Sequence, residues 1–256
     1  MQEHSSLPPS GNRVLIAFAA PLMGAVVLGA AITVLFGGSQ PGDPSGRAST
    51  ALILGGIGAT SMLVGLRWYG LRGLGLRGGR PLYAGIGFAT LAWIIFLAAR
   101  LVLVPSNPGV VGDADFGRAF IYLPLFEALA VQLWAFGLLF RAVADWRGPL
   151  TAAVMGGLVF GAVASLYFEE SFIFSTVSIL YFFVWGIFYG LIRLRTGSIL
   201  GAVLIQAMHT LTAWYILLPP VEPTRQELHP LYLISATLYL VLIWRLWPKS
   251  EDDYRV

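Results

Sequence analysis

The chain has 256 residues, 57% of them apolar and only 11% charged, with no cysteine and a mean hydropathy of +0.77. Soluble domains average about 45–50% apolar and about 25% charged residues, so a soluble enzyme, a disordered tail and a disulfide scaffold are excluded. The net charge is only +3, and fifteen of the sixteen basic residues are arginines set between apolar blocks rather than in a stripe, so nucleic acid is not a partner. What remains is an all-α, polytopic membrane helix bundle whose first partner is the lipid bilayer.

A membrane-crossing helix needs roughly 20 mostly apolar residues. Eight such stretches are predicted in chain order, over 14–36, 50–71, 82–104, 118–143, 150–168, 172–193, 197–218 and 230–247. The first follows Arg13 and resembles a signal peptide, but its apolar run exceeds the core of about 7–15 residues of such a peptide and seven more spans follow. It is read as a retained helix. The expected organisation is a short segment 1–13, three spans over 14–117, a core of four spans over 118–218, and a last span with its tail over 219–256.

Orientation follows from the arginines. With the N-terminus inside, twelve of the sixteen basic residues fall on the inner side; Arg47, Arg100, Arg118 and Arg225 are left outside. Basic residues concentrate on the cytoplasmic side of membrane proteins, so both termini are expected in the cytoplasm and the chain in the cell (plasma or inner) membrane. Trp68, Trp146, Trp244 and Trp247 fall at predicted span ends, where amphipathic rings collect. Gly157/Gly161, Gly186/Gly190 and Gly197/Gly201 are small residues four apart, a spacing that lets helices approach closely in lipid. The Pro/Gly/Ser-rich loop 38–48 and the Gly/Arg-rich loop 70–81 are connections.

Ionisable residues within spans are functional candidates by default, because the bilayer penalises them. Glu127 lies in the fourth span. Gln206, His209 and Thr210 stand at i, i+3 and i+4 in the seventh, which gives that span a polar face at mid-depth. Three readings stay open for this set: an interhelical hydrogen-bond cluster, a ligand or peptide pocket, and a carboxylate–histidine pair that does chemistry. Glu169-Glu170 falls in the short outer loop between spans five and six, where the pair is either hydrated or turned into the mouth of the bundle. Asp113 and Asp115 read as a solvated turn, and Glu251-Asp252-Asp253 as a solvated tail. His4 and His229 lie in the tail or near a span end without ligand spacing. With three scattered histidines and no cysteine, no metal site and no cofactor are expected; the Gly-rich run Gly55-Gly56-Ile-Gly58 lies inside a span and is no phosphate loop.

From about Glu127 to Ala213 a second kind of information is present. Gly186-Ile-Phe-Tyr-Gly190, then Leu-Ile-Arg-Leu-Arg195-Thr196-Gly197-Ser198, then Phe160-Gly161, Gly148-Pro149 and Gly137 together resemble the CAAX-protease and bacteriocin-processing (CPBP) family of intramembrane endopeptidases. The resemblance implies a core of that family's type, an eight-span bundle, and a glutamate that activates water against a peptide carbonyl. The family's first motif, Glu-Glu-x-x-x-Arg, falls here on Val131, Gln132 and Phe136. The histidine of its second, Phe-x-x-x-His, falls on Ala164. Its third, His-x-x-x-Asn/Asp, falls on Gln206 and Thr210. Hydrolysis of this kind needs a carboxylate base and a donor for the developing oxyanion, and these six residues include no base. The expected function is therefore a non-catalytic homologue, a pseudoenzyme that binds a membrane peptide, a lipid or a partner protein. The alternative is an active endopeptidase for membrane-associated or prenylated peptides, working through relocated residues: Glu127, Glu169 or Glu170 with His209, supported by Gln206 and Thr210. A transport component is the second alternative, although no two-fold pattern of broken helices accompanies it.

Overall fold

The computed structural model describes residues 8–36, 44–106, 113–168 and 171–255; Glu169, Glu170 and His4 lie outside the described residues. Among the described residues eight helices longer than one turn follow in chain order: α1 Ser10–Phe36, α2 Pro44–Gly73, α3 Arg80–Leu103, α4 over 113–147, α5 Pro149–Tyr167, α6 Thr176–Thr196, α7 Leu200–Ile216 and α8 Arg225–Leu246. All but α7 are long and apolar enough to cross a membrane, and α7 is a shorter apolar helix. At 1.5 Å per residue it measures about 26 Å, just under the roughly 30 Å hydrocarbon layer. The protein is a multi-pass membrane bundle, and no strand occurs among the described residues.

The helix ends follow local signals more closely than the apolar runs do. Ser175 opens α6 with a reciprocal cap: its Oγ accepts from Ser178 N at 3.2 Å, and Ser178 Oγ accepts from Ser175 N at 2.9 Å. Gly197 closes α6 in the left-handed region at φ 73°, donating its N–H to Arg193 O at 2.9 Å, a conformation that a side chain would strain. Glu227 accepts from Thr224 N at 2.8 Å, which starts α8 at Arg225 rather than at 230, with Pro230 inside the helix. The backbone of Asp113 and Asp115 falls in the first turn of α4 and not in a loop.

Two helices form the centre. The spanning window of α4 is 78% buried and that of α6 72%, against 17–28% for α1 to α3, whose outward faces carry leucine, isoleucine and valine to the lipid. The most extensive helix contact joins α5 to α6, and it is made through the glycine pairs. A methyl group at Gly157 would stand 2.6 Å from Ile187 N and 2.7 Å from Ile187 Cα, both backbone atoms. Gly186 and Gly190 meet the backbones of Gly157 and Ala153 in the same way, and Gly201 meets Ile86 of α3. The spaced glycines thus serve contacts within the chain.

One end of the bundle is strongly basic. Arg13 Nη1 of α1 donates to Asp145 Oδ2 of α4 at 2.7 Å, and Arg141 Nε reaches Asp145 Oδ1 at 3.3 Å. The loop after α2 is laced to the α6–α7 turn by Ile199 N to Gly75 O at 2.9 Å and Ser198 Oγ to Arg77 O at 2.8 Å. After α8 the chain folds back over the same turn, and Arg255 N donates to Leu194 O at 2.9 Å. Arg195 Nη1 meets Asp253 Oδ1 at 2.6 Å. The N–H of Lys249 and the Arg195 guanidinium hold the Asp253 carboxyl below its ordinary range.

Candidate functional site

Three helical stretches widen from the α to the π pattern: Leu123–Ala130 and Leu133–Leu139 within α4, and Leu211–Ile216 at the end of α7. A π stretch frees a carbonyl from the regular ladder and tends to occur where a side chain enters it. Each of the three has such a donor. Gln206 Nε2 donates to Glu127 O at 3.3 Å, Arg193 Nε to Phe136 O at 3.0 Å, and Arg100 Nε to Ala213 O at 3.1 Å. Pro124, which has no N–H of its own, adds a further cause in the first.

The first of these contacts belongs to a polar cluster between α4 and α7. Gln132 Nε2 donates to Gln206 Oε1 at 2.9 Å, Gln206 passes its own N–H to the Glu127 carbonyl, and Thr210 Oγ1 donates to Glu127 Oε1 at 3.2 Å. All four residues are at most 1% exposed. Four of the residues singled out in the sequence therefore meet in one chain of hydrogen bonds. In lipid such bonds bind helices to each other, at about 0.6 kcal/mol each on average.

His209 lies one step round α7, and its ring packs 4.2 Å from that of Phe96 and 4.8 Å from that of Trp185, centroid to centroid. Val131, Phe136 and Ala164 are fully buried. The Phe136 ring is 5.7 Å from that of Phe160, which stands edge-on to Phe168, Trp185 and Tyr189 at 5.4–5.5 Å. Beside the polar cluster the bundle is filled by aromatic rings in contact geometry, the arrangement their quadrupoles favour. Phe120, Leu123, Pro124, Leu204, Ala207 and Met208 border a shallow apolar furrow of about 130 Å³ on the lipid side of the α4–α7 contact.

The glutamine pair allows a sharp test. Gln206→Leu strands the Gln132 amide and the Glu127 carbonyl, and it is expected to lower stability by about 1–2 kcal/mol. Adding Gln132→Leu is expected to recover part of that loss, because an unpartnered buried amide costs more than a missing pair. Thermal unfolding of both variants in one detergent reads the difference; two independent, additive losses would contradict a shared bond.

Two further buried residues are arginines that no sequence motif marks. Arg100, expected on the outer side, is fully buried and donates to Val104 O at 2.6 Å and Ser106 Oγ at 2.9 Å, besides Ala213 and Leu217 O. Arg193, among the basic residues expected on the inner side, is 2% exposed and also donates to Gly73 O at 3.0 Å. The signal was present in both: each is a lone charge inside or at the edge of an apolar run.

Compared with known proteins, residues 114–212 match the family model described as type II CAAX prenyl endopeptidase Rce1-like. The match begins before Glu127 and ends just short of Ala213, so it covers the same central helices as the resemblance read from the motifs. No curated protein matches the chain. The chain is a multi-pass helical membrane protein whose central helices, over residues 114–212, carry the likeness to the Rce1-like CAAX prenyl endopeptidases.

Proposed function

We propose that this protein is a non-catalytic homologue within that family, using the helical scaffold to hold a membrane peptide, a lipid or a partner protein. The observation that carries the reading is the content of the six family positions. They hold Val131, Gln132, Phe136, Ala164, Gln206 and Thr210, none of which can serve as a carboxylate base. Gln132, Gln206 and Thr210 are engaged with one another and with Glu127 across α4 and α7, and Phe136 belongs to the aromatic packing. A scaffold keeps its fold when its chemistry is gone, and its function then rests on what surface remains. The furrow beside α4 and α7, with Phe120 57% and Leu204 49% exposed toward lipid, suits an apolar chain. In this reading residues 118–218 are the functional core, the three spans before it are its support, and both termini face the cytoplasm, because the basic end of the bundle marks that side.

The test uses the full protein in vesicles with a prenylated peptide that carries a photoreactive group on its apolar chain. Crosslinks to the furrow residues, competed by unlabelled peptide and accompanied by intact peptide mass, are the expected result. Labelling no different from that of a bulk lipid probe would contradict the reading.

The endopeptidase alternative has one observation in its favour, the buried Glu127 carboxylate with the Thr210 hydroxyl at 3.2 Å. It requires turnover that Glu127→Gln and His209→Ala both abolish while the fold survives.

A further inference from the structure

The segment after α8 has no part in the reading above, yet it is held in place by a specific set of contacts. Asp253 lies 2.6 Å from Arg195 and accepts from Lys249 N at 2.9 Å, and Arg255 N reaches Leu194 O at 2.9 Å. A single 3-10 turn, Glu251–Asp253, shapes the segment. Beneath it, Gly197 leaves room for the Arg255 carbonyl and for Arg77 Nη1: a methyl group there would collide with the first and stand 3.1 Å from the second. An acidic turn, Glu251–Asp253, therefore lies over a basic one, and the Asp253–Arg195 ion pair is 29% exposed on each side.

The same turn sits at the level of the lipid headgroups. Trp244 and Trp247, at the end of α8 where the strap begins, are 77% and 42% exposed, and such rings mark the membrane interface. A phosphate-bearing anionic lipid at that level offers Arg195 and Arg77 what Asp253 offers Arg195. An exposed ion pair contributes little in water, and an arginine near an anionic bilayer gains a comparable amount from the surface. The two partners of Arg195 are closely matched.

We infer that the 247–255 strap is an intramolecular stand-in for an anionic phospholipid headgroup, and that such lipid displaces Asp253 from Arg195 and releases the strap from the α6–α7 turn. The chain has no cysteine, so Asp252→Cys, at an exposed position, gives a single site for a nitroxide label. The labelled full chain is placed in nanodiscs of phosphatidylcholine alone, or of phosphatidylcholine with phosphatidylglycerol, at one salt concentration. The strap is expected to be mostly immobile in the first, with the mobile-to-immobile ratio rising about fivefold in the second, the change that one such interaction produces. Arg195→Gln in the labelled chain is expected to raise the ratio about fivefold in both lipids and remove the difference between them. Inorganic phosphate added to the phosphatidylcholine discs is expected to have little effect; release by phosphate alone would overturn the assignment to lipid. Equal mobility in the two lipids with Arg195 intact, or a mobile-to-immobile ratio that Arg195→Gln leaves unchanged, would overturn the proposal.

Discussion

Replacing Arg100 by leucine is expected to lower stability by roughly 3–5 kcal/mol, because several buried acceptors then lose a charged donor together. The guanidinium joins the ends of α3 and α7. It holds Val104 O at the end of α3, and Ala213 and Leu217 O where α7 widens and stops. Both helices present the negative end of their dipoles there, and a cation at that place is favourable. The Trp214 ring, 5.0 Å from the guanidinium carbon, adds a cation–π contact. Arg100→Lys is expected to recover only part of the loss, since an ammonium cannot reach carbonyls spread around a planar fork. Thermal unfolding in detergent gives the magnitude, and amide exchange locates it: residues 211–217 should exchange faster, while the α5–α6 contact should not. Stability within about 0.5 kcal/mol of the parent would contradict this account of the α7 terminus.

The second large effect belongs to the α5–α6 contact. Gly157→Val places carbon within 2.6–2.8 Å of the Ile187 and Gly186 backbones, and backbone in the middle of two helices has nowhere to move. Forcing the helices apart also opens the Gly186 and Gly190 contacts along the same seam. The expected cost is about 3 kcal/mol or more, read as a lower unfolding temperature or loss of the monodisperse protein. Gly87→Ala is the control, because a methyl group there meets nothing within 4 Å; it is expected to be neutral. Similar behaviour of the two variants would show that glycine content, rather than the seam, sets stability.

Much of the architecture was legible because lipid imposes a simple rule. A span must be apolar and long, so eight apolar runs became eight helices, and the glycine pairs at a spacing of four marked the α5–α6 seam. The ends were less legible, since they depend on caps such as Ser175 and Thr224 and not on hydropathy. The three widened stretches could not be read at all. Each depends on a donor distant in sequence (Gln206 on α4, Arg193 on α4, Arg100 on α7), and spacing along the chain carries no record of which carbonyl a remote side chain will take. The same reason explains the site. Helical periodicity put Gln206 and Thr210 on one face of α7. It did not show that Gln132 would pair with Gln206, nor that His209 would pack between Phe96 and Trp185.

The three donors suggest a common principle for this bundle. Arg100, Arg193 and Gln206 each satisfy a carbonyl of a widened turn from another helix, so long polar side chains within the membrane here act on the backbone. That view assigns the α4–α7 cluster to holding helices together and leaves no water-activating base at the family positions. Its most direct test is hydrolysis itself, followed as incorporation of heavy oxygen from labelled water into the new carboxylate of a prenylated peptide in proteoliposomes. This account predicts no label above that found in vesicles without the protein, and the same background for Glu127→Gln. Label that accumulates with the parent protein and disappears with Glu127→Gln would contradict it and establish Glu127 as the base of a working endopeptidase.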